Sequence, residues 1–209
     1  ALRALLRIYQ IERDWTKAID CARRLEREAG ENRQEEISHF YCELAQAGIA
    51  AKDHEAAARH LDEALSAHRR SVRAIVLAGD LALRRGEPAE AVRQWLRLDG
   101  IAPEYLALVA DRLSEAMDAQ GRRPEALDLL RRLLTDTGSI DLLDVTVRRL
   151  AAWDSPAAAE HLLADHLRHS PSLLGFDKLL ALRSQQASEA AAELEPLRAL
   201  IQSQARKLA

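Results

Sequence analysis

Apolar and charged residues interleave along this chain at helical spacing. Stretches such as Arg23-Arg24-Leu25-Glu26-Arg27-Glu28 read as solvated helix faces laced with weak ion pairs, each backed by an apolar stripe. One stretch, "SVRAIVLAGDLALRRGEPAEAVRQWLRLDGIAP", predicts two antiparallel helices and the turn between them. Gly79 and Ala91 are small enough for the helices to approach closely. Gly86 permits the positive φ that ends the first helix, and Pro88 suits the first turn of the second. Trp95 supplies a bulky plug between hairpins, and Pro103 stops the second helix and opens the next unit.

The intervals between Gly79, Gly86, Ala91, Trp95 and Pro103 are 7, 5, 4 and 8 residues. This pattern resembles the tetratricopeptide repeat, a helix–turn–helix unit of about 34 residues. Sliding it along the chain places the small residue of each second helix at Ala18, Ala57, Ala91, Ala126 and Ala159, at spacings of 39, 34, 35 and 33. The long first spacing is expected to be absorbed by a longer polar joint at Gly30-Glu31-Asn32-Arg33-Gln34. Turn punctuation recurs as Gly121 with Pro124, as Ser155 capping a helix with Pro156 in its first turn, and as Ser170-Pro171. A sixth, degenerate hairpin is expected from Leu173 to Ala209, broken near Gln185–Ser188. Units in register stack on one another. The expected fold is therefore all-α, a right-handed superhelical solenoid of five to six hairpins spanning residues 1–209 as one domain.

Composition agrees. The apolar 48% is mostly Ala and Leu, with only 4% aromatics, where a sheet protein would favour β-branched and aromatic residues. Thirty basic residues against 33 acidic ones give a net charge of −3, without the basic stripe and stacking aromatics of a nucleic-acid binder. Cys21 and Cys42 imply no disulfide framework, and Cys42 in "ISHFYCELA" reads as a packing thiol. No apolar run reaches the roughly 18–20 residues of a membrane span. The start at Ala1, mid-pattern and without a methionine or a polar cap, is expected of an excised piece of a longer protein; an exposed apolar end of that kind would let two copies pair as a homodimer.

Catalytic signatures are missing: no Gly-x-Ser-x-Gly elbow, no phosphate-binding glycine loop, no Cys-x-x-Cys pair. His54 and His60 stand six residues apart, on diverging helix faces. His161, Asp165 and His169 share one face, where a solvated polar stripe outweighs a metal site. The more promising surface is the groove. In tetratricopeptide stacks the first helix of each hairpin lines it, and helical phase places there Arg3, Arg7, His39, Gln46, Arg73, Asp80, Arg84, Asp111, Glu115, Asp144 and Arg148. Ordinary solvated charge is the competing reading for each. The arginines stand out, since a guanidinium can form bidentate pairs with a partner's carboxylates.

"EEISHFYCELA" (35–45), with "LLRIYQ" before "DWTKAID", "GEPAEAV" midway and "LRHSP" near the end, resembles the lipopolysaccharide assembly protein B family of Gram-negative bacteria. The resemblance implies an adaptor on the cytoplasmic side of the inner membrane, which promotes degradation of the lipid A pathway deacetylase by a membrane AAA protease and answers to an inner-membrane signalling protein. It also implies an N-terminal anchor and a C-terminal rubredoxin-like metal domain with two Cys-x-x-Cys pairs. Neither is present here, and Cys21 and Cys42 cannot stand in for those cysteines, so no cofactor is expected in this chain. The alternatives are a scaffold of another envelope or secretion pathway, and the repeat half of an enzyme whose catalytic domain lies elsewhere.

Overall fold

The computed structural model describes residues 1–169, 175–184 and 187–188, and among them every regular element is helical. The helices are α1 (Leu2–Glu12), α2 (Trp15–Ala29), α3 (Gln34–Ala50), α4 (His54–Ala67), α5 (Val72–Arg84), α6 (Pro88–Leu96), α7 (Ala110–Asp118), α8 (Arg123–Thr137), α9 (Ile140–Trp153) and α10 (Pro156–His169), with 3-10 turns at Arg97–Gly100 and Pro103–Leu108. The chain divides into two compact units, residues 1–133 and 134–209.

In the first unit α1 packs on α2, α3 on α4 and α5 on α6 as hairpins, and α2, α4 and α6 each pack on the hairpin that follows. The small residues picked out by the repeat are all buried: Ala18, Ala57, Ala91, Ala126 and Ala159. Each hairpin turn also contains one residue of positive φ at the same repeat position, namely Arg13 (56°), Lys52 (60°), Gly86 (75°) and Gly121 (72°). Second helices start on side-chain caps: Asp14 accepts from the Lys17 N–H and Asp53 from the Ala56 N–H, while α6 begins on Pro88. The core of the first two hairpins joins Leu6, Ile19, Leu25, Ile37, Phe40 and Cys42, and Trp15 stacks on Phe40 with centroids 5.8 Å apart.

Three local expectations change. The long first spacing is not a longer joint: residues 30–33 between α2 and α3 number four, as do residues 68–71 between α4 and α5. The excess is helix, since α2 has 15 residues against 14 in α4, and α3 has 17 against 13 in α5. Four added residues are close to one 3.6-residue turn, so the helix lengthens while keeping its core-facing stripe in phase. The extra turn begins at Gln34 and buries Ile37.

Second, α6 ends at Leu96, well before Pro103, and the backbone continues in 3-10 turns, the second opened by Pro103. This tighter winding carries Leu98 and Leu106 inward, both fully buried. Third, Trp95 plugs its own hairpin. A Cβ on Gly79 would stand 2.5 Å from Trp95 Cδ1 and Cε2, so the glycine makes room for the indole. The indole N–H donates to the Val76 carbonyl at 3.2 Å. In hairpin two a close helix-on-helix approach is made at Gly48, whose Cβ would meet Ala57 at 3.1–3.3 Å.

In the second unit α9 packs on α10 around Leu142, Leu143, Leu150, Ala159 and Leu163. Thr146, buried mid-helix, donates its hydroxyl back to the Leu142 carbonyl at 2.6 Å. Ser155 accepts from the Ala158 N–H at 3.1 Å, as its capping role requires, and Gly138 (φ 61°) lies between α8 and α9. Residues 175–184 are helical. The Ser170-Pro171 punctuation and the rest of the expected sixth hairpin, apart from the helical residues 187–188, lie outside the described residues.

Candidate functional site

Successive first helices carry the expected groove residues: Arg3 and Arg7 on α1, His39 and Gln46 on α3, Arg73, Asp80 and Arg84 on α5, Asp111 and Glu115 on α7. At the centre of this face is Arg73. Its guanidinium lies 2.8 Å from His39 Nδ1, donates to Gln46 Oε1 at 2.7 Å and pairs with Glu43 at 2.7 Å. One arginine thus ties α5 to three side chains of α3. Burial and the Arg73 charge hold the His39 imidazole below its ordinary range, against the opposing pull of Glu43. The fork of Arg73 is already committed, so it is a fixed part of the surface rather than a free hand for a partner's carboxylate.

The next link has the same form. The Arg112 guanidinium, from α7, donates to Asp80 Oδ2 on α5 at 3.0 Å and lies over the Trp95 ring, 5.7 Å from its centroid. Burial nonetheless pushes the Asp80 carboxyl above its usual range, because Arg112 only partly offsets the lost hydration. At the other end, Arg3 donates through Nε and Nη2 to Glu31 Oε1, at 2.8 and 2.5 Å. Asp111 and Glu115 have partners of their own on this unit's last first-helix, half-buried and exposed respectively. Among the described residues Arg7 and Arg84 make no ion pair, and both are exposed.

In the second unit Asp144 and Arg148 pair along α9 at 3.2 Å, and Lys178 also binds Asp144. Burial raises the Asp144 carboxyl, but Lys178 and Arg148 together outweigh it and leave it below the usual carboxylate range. On α10, Asp165 accepts from Arg168 at 3.3 Å, and among the described residues no group of three metal-ligating side chains converges. Cys21 and Cys42 are both buried, and burial pushes the Cys42 thiol up to about 11, a packing thiol rather than a nucleophile.

The structure brings together His39, Gln46 and Arg73, and leaves Arg3, Arg7 and Arg84 outside that cluster. Sequence reading missed Glu43, Arg112 and Lys52. Glu43 stands one helical turn from His39, a signal the sequence held, whereas Arg112 stands 32 residues after Asp80, off the repeat spacing, and only the packing pairs them. Lys52 occupies the position of Gly86 in its own hairpin and lies beside an open cleft of about 670 Å³, lined by Gln46, Ile49, Ala50, Lys52, His54 and Arg84.

No family model matches the chain. Among solved structures it is similar to a tetratricopeptide repeat protein from Parabacteroides merdae, with a TM-score of 0.55 and 14% identity over 95% of this chain and 78% of that one. It is also similar to YrrB, described as a TPR protein with an unusual peptide-binding site, with a TM-score of 0.53 and 13% identity over 86% of this chain and 88% of that one. The chain is a tetratricopeptide-repeat protein. Within that class it is similar to lipopolysaccharide assembly protein B: it is 30% identical to the Escherichia coli K12 protein over 193 residues, 92% of this chain and 50% of that protein. The Haemophilus influenzae protein of the same name is 26% identical over 196 residues. The chain spans about half the length of the curated relatives it matches.

Proposed function

We propose that this chain is a protein-binding scaffold in lipopolysaccharide assembly, working by holding partners rather than by transforming a substrate. The observation that carries the reading is the face shared by α3, α5 and α7, where Arg73 and the Asp80–Arg112 pair fix polar side chains from successive hairpins in one arrangement. A surface ordered before binding loses less entropy when a partner docks. The chain's similarity to lipopolysaccharide assembly protein B supplies the pathway.

The finer reading is an adaptor at the cytoplasmic face of the inner membrane. It presents the lipid A pathway deacetylase to a membrane AAA protease under the control of an inner-membrane signalling protein. Holding client and protease together raises their effective concentration, which accelerates proteolysis without new chemistry. Among the described residues no helix is long and apolar enough to cross a membrane, so in this reading the chain meets its partners through its polar faces.

The test mixes the purified chain with the deacetylase, measures capture by calorimetry, and then follows deacetylase turnover by the membrane-embedded protease. Capture with faster turnover is expected. Capture with unaltered turnover retains the scaffold and discards the degradative role. No capture of either protein discards both.

A further inference from the structure

The cleft of about 670 Å³ shares Gln46 with the Arg73 network, while its other lining residues stand outside that network. Its apolar lining is Ile49 and Ala50 near the end of α3. Its polar lining is Gln46, the turn residue Lys52, His54 at the start of α4, and Arg84 at the end of α5. Among the described residues no carboxylate lines it. Of the acids nearby, Asp53 caps α4 by accepting from the Ala56 N–H at 2.9 Å, and Asp80, one turn before Arg84, is held by Arg112 at 3.0 Å while also feeling the Arg84 charge. Among the described residues neither Lys52 nor Arg84 makes an ion pair.

The backbone at Lys52 is a second observation. In the third and fourth hairpins the equivalent turn residue is Gly86 or Gly121, which adopts positive φ freely, while in the first it is Arg13 at φ 56°. Here a lysine stands at φ 60°, a conformation that disfavours any residue with a Cβ. Glycine would serve the turn better, so what the lysine adds is a cation at the cleft mouth. Lys52 thus stands as a second cation beside Arg84 in the cleft lining.

We propose that this cleft seats an extended acidic segment of a partner protein, with its carboxylates on Lys52 and Arg84 and small apolar side chains on Ile49 and Ala50. An open channel suits a segment passing through, which favours acidic side chains over a terminal carboxylate. The inference rests on the scaffold reading and names the chemistry of one of its contacts.

The test is fluorescence anisotropy with the whole chain and a fluorescein-labelled decapeptide alternating glutamate and alanine, amidated at its C-terminus, compared with its glutamine counterpart. The glutamate peptide is expected to bind, more weakly as salt rises from about 50 to about 300 mM, and the glutamine peptide is not. The double variant Lys52→Gly, Arg84→Gln is expected to lose about tenfold in affinity or more, taking each exposed pair at the upper end of its usual worth. Its melting temperature should be unchanged or higher, because the strained turn is relieved. Arg59→Gln, an exposed cation on α4 outside both the groove and the cleft, should bind normally. Equal binding of the two peptides, no binding of the glutamate peptide, or undiminished affinity in the double variant overturns the proposal. A glutamine peptide with a free C-terminus binding as tightly as the glutamate peptide also overturns it, in favour of a terminal carboxylate. Scaffold and cleft fail separately: a chain that binds this peptide but captures neither deacetylase nor protease fails the first alone. One that captures them but ignores the peptide fails the second alone.

Discussion

Gly79 and Trp95 form a matched pair whose logic shows when hairpin three is laid over hairpin two. In repeat register Gly79 corresponds to Ala45 and Trp95 to Leu61, so one hairpin joins no Cβ with a large ring and the other a methyl with a smaller chain. Adding a Cβ at Gly79 gains about 1 kcal/mol of helix propensity, but the buried indole behind it, anchored by its bond to Val76, cannot yield cheaply. Gly79→Ala is therefore expected to destabilise by about 1–3 kcal/mol. Trp95→Leu alone should cost roughly 2–4 kcal/mol through the cavity it leaves. The double variant recreates the Ala45–Leu61 arrangement and should be more stable than the sum of the singles by about 1–3 kcal/mol, read from urea midpoints in a double-mutant cycle. Strict additivity would show that the two residues do not share one volume. The need for a small residue at position 79 was legible in the sequence, but its partner was not. Ala91 and Trp95 are both on the facing helix, and only the side-chain packing decides between them.

At the scale of elements, turns and caps were readable because each depends on local chemistry: Gly86 at positive φ, Pro88 in a first turn, Ser155 as a cap. The long first spacing was misread because a longer loop and an added helical turn insert the same number of residues. Gly30-Glu31-Asn32-Arg33-Gln34 looks like a loop by composition, and Gly30 does end α2 at φ 63°. Yet Gln34 already belongs to α3, whose first turn contains Glu35 and Glu36, favourable charges at a helix N-terminus. Ile37 gives the turn a core contact, being 3% exposed among Phe40 and Leu25. The two readings differ in one measurement. If residues 34–37 are a packed helical turn, Ile37→Ala should lower unfolding free energy by about 2–4 kcal/mol. A loop residue at the same place would change it by no more than about 0.5 kcal/mol. Chemical denaturation followed by circular dichroism distinguishes them.

At the scale of the molecule, periodicity identified which side of each first helix is polar, but not what its charges are occupied with. Pairing depends on where the neighbouring hairpin sets its side chains, and that distance is absent from a one-dimensional pattern. Arg73 and Arg84 look equivalent in the sequence, both groove arginines on α5, and both were expected to be spent on a partner. In the structure Arg73 holds hairpin three to hairpin two through His39, Gln46 and Glu43, while Arg84 faces the open cleft. Stability in a stacked-hairpin protein is close to a sum of unit terms and interface terms, so the two arginines should act on different quantities. Arg73→Ala leaves Glu43 without its cation and is expected to cost about 1–2 kcal/mol, the range for hydrogen bonds to charged groups after allowance for partial exposure. The loss falls on an interface, so the unfolding transition should also broaden as the hairpins uncouple. Arg84→Ala should leave both the midpoint and the steepness of unfolding unchanged and reduce only partner binding. Urea titrations of the two variants, run beside a client-capture assay, measure both quantities at once. Equal destabilisation by the two substitutions would mean that Arg73 is another solvated charge and that the groove face is not preorganised, which removes the main support for reading this chain as a scaffold.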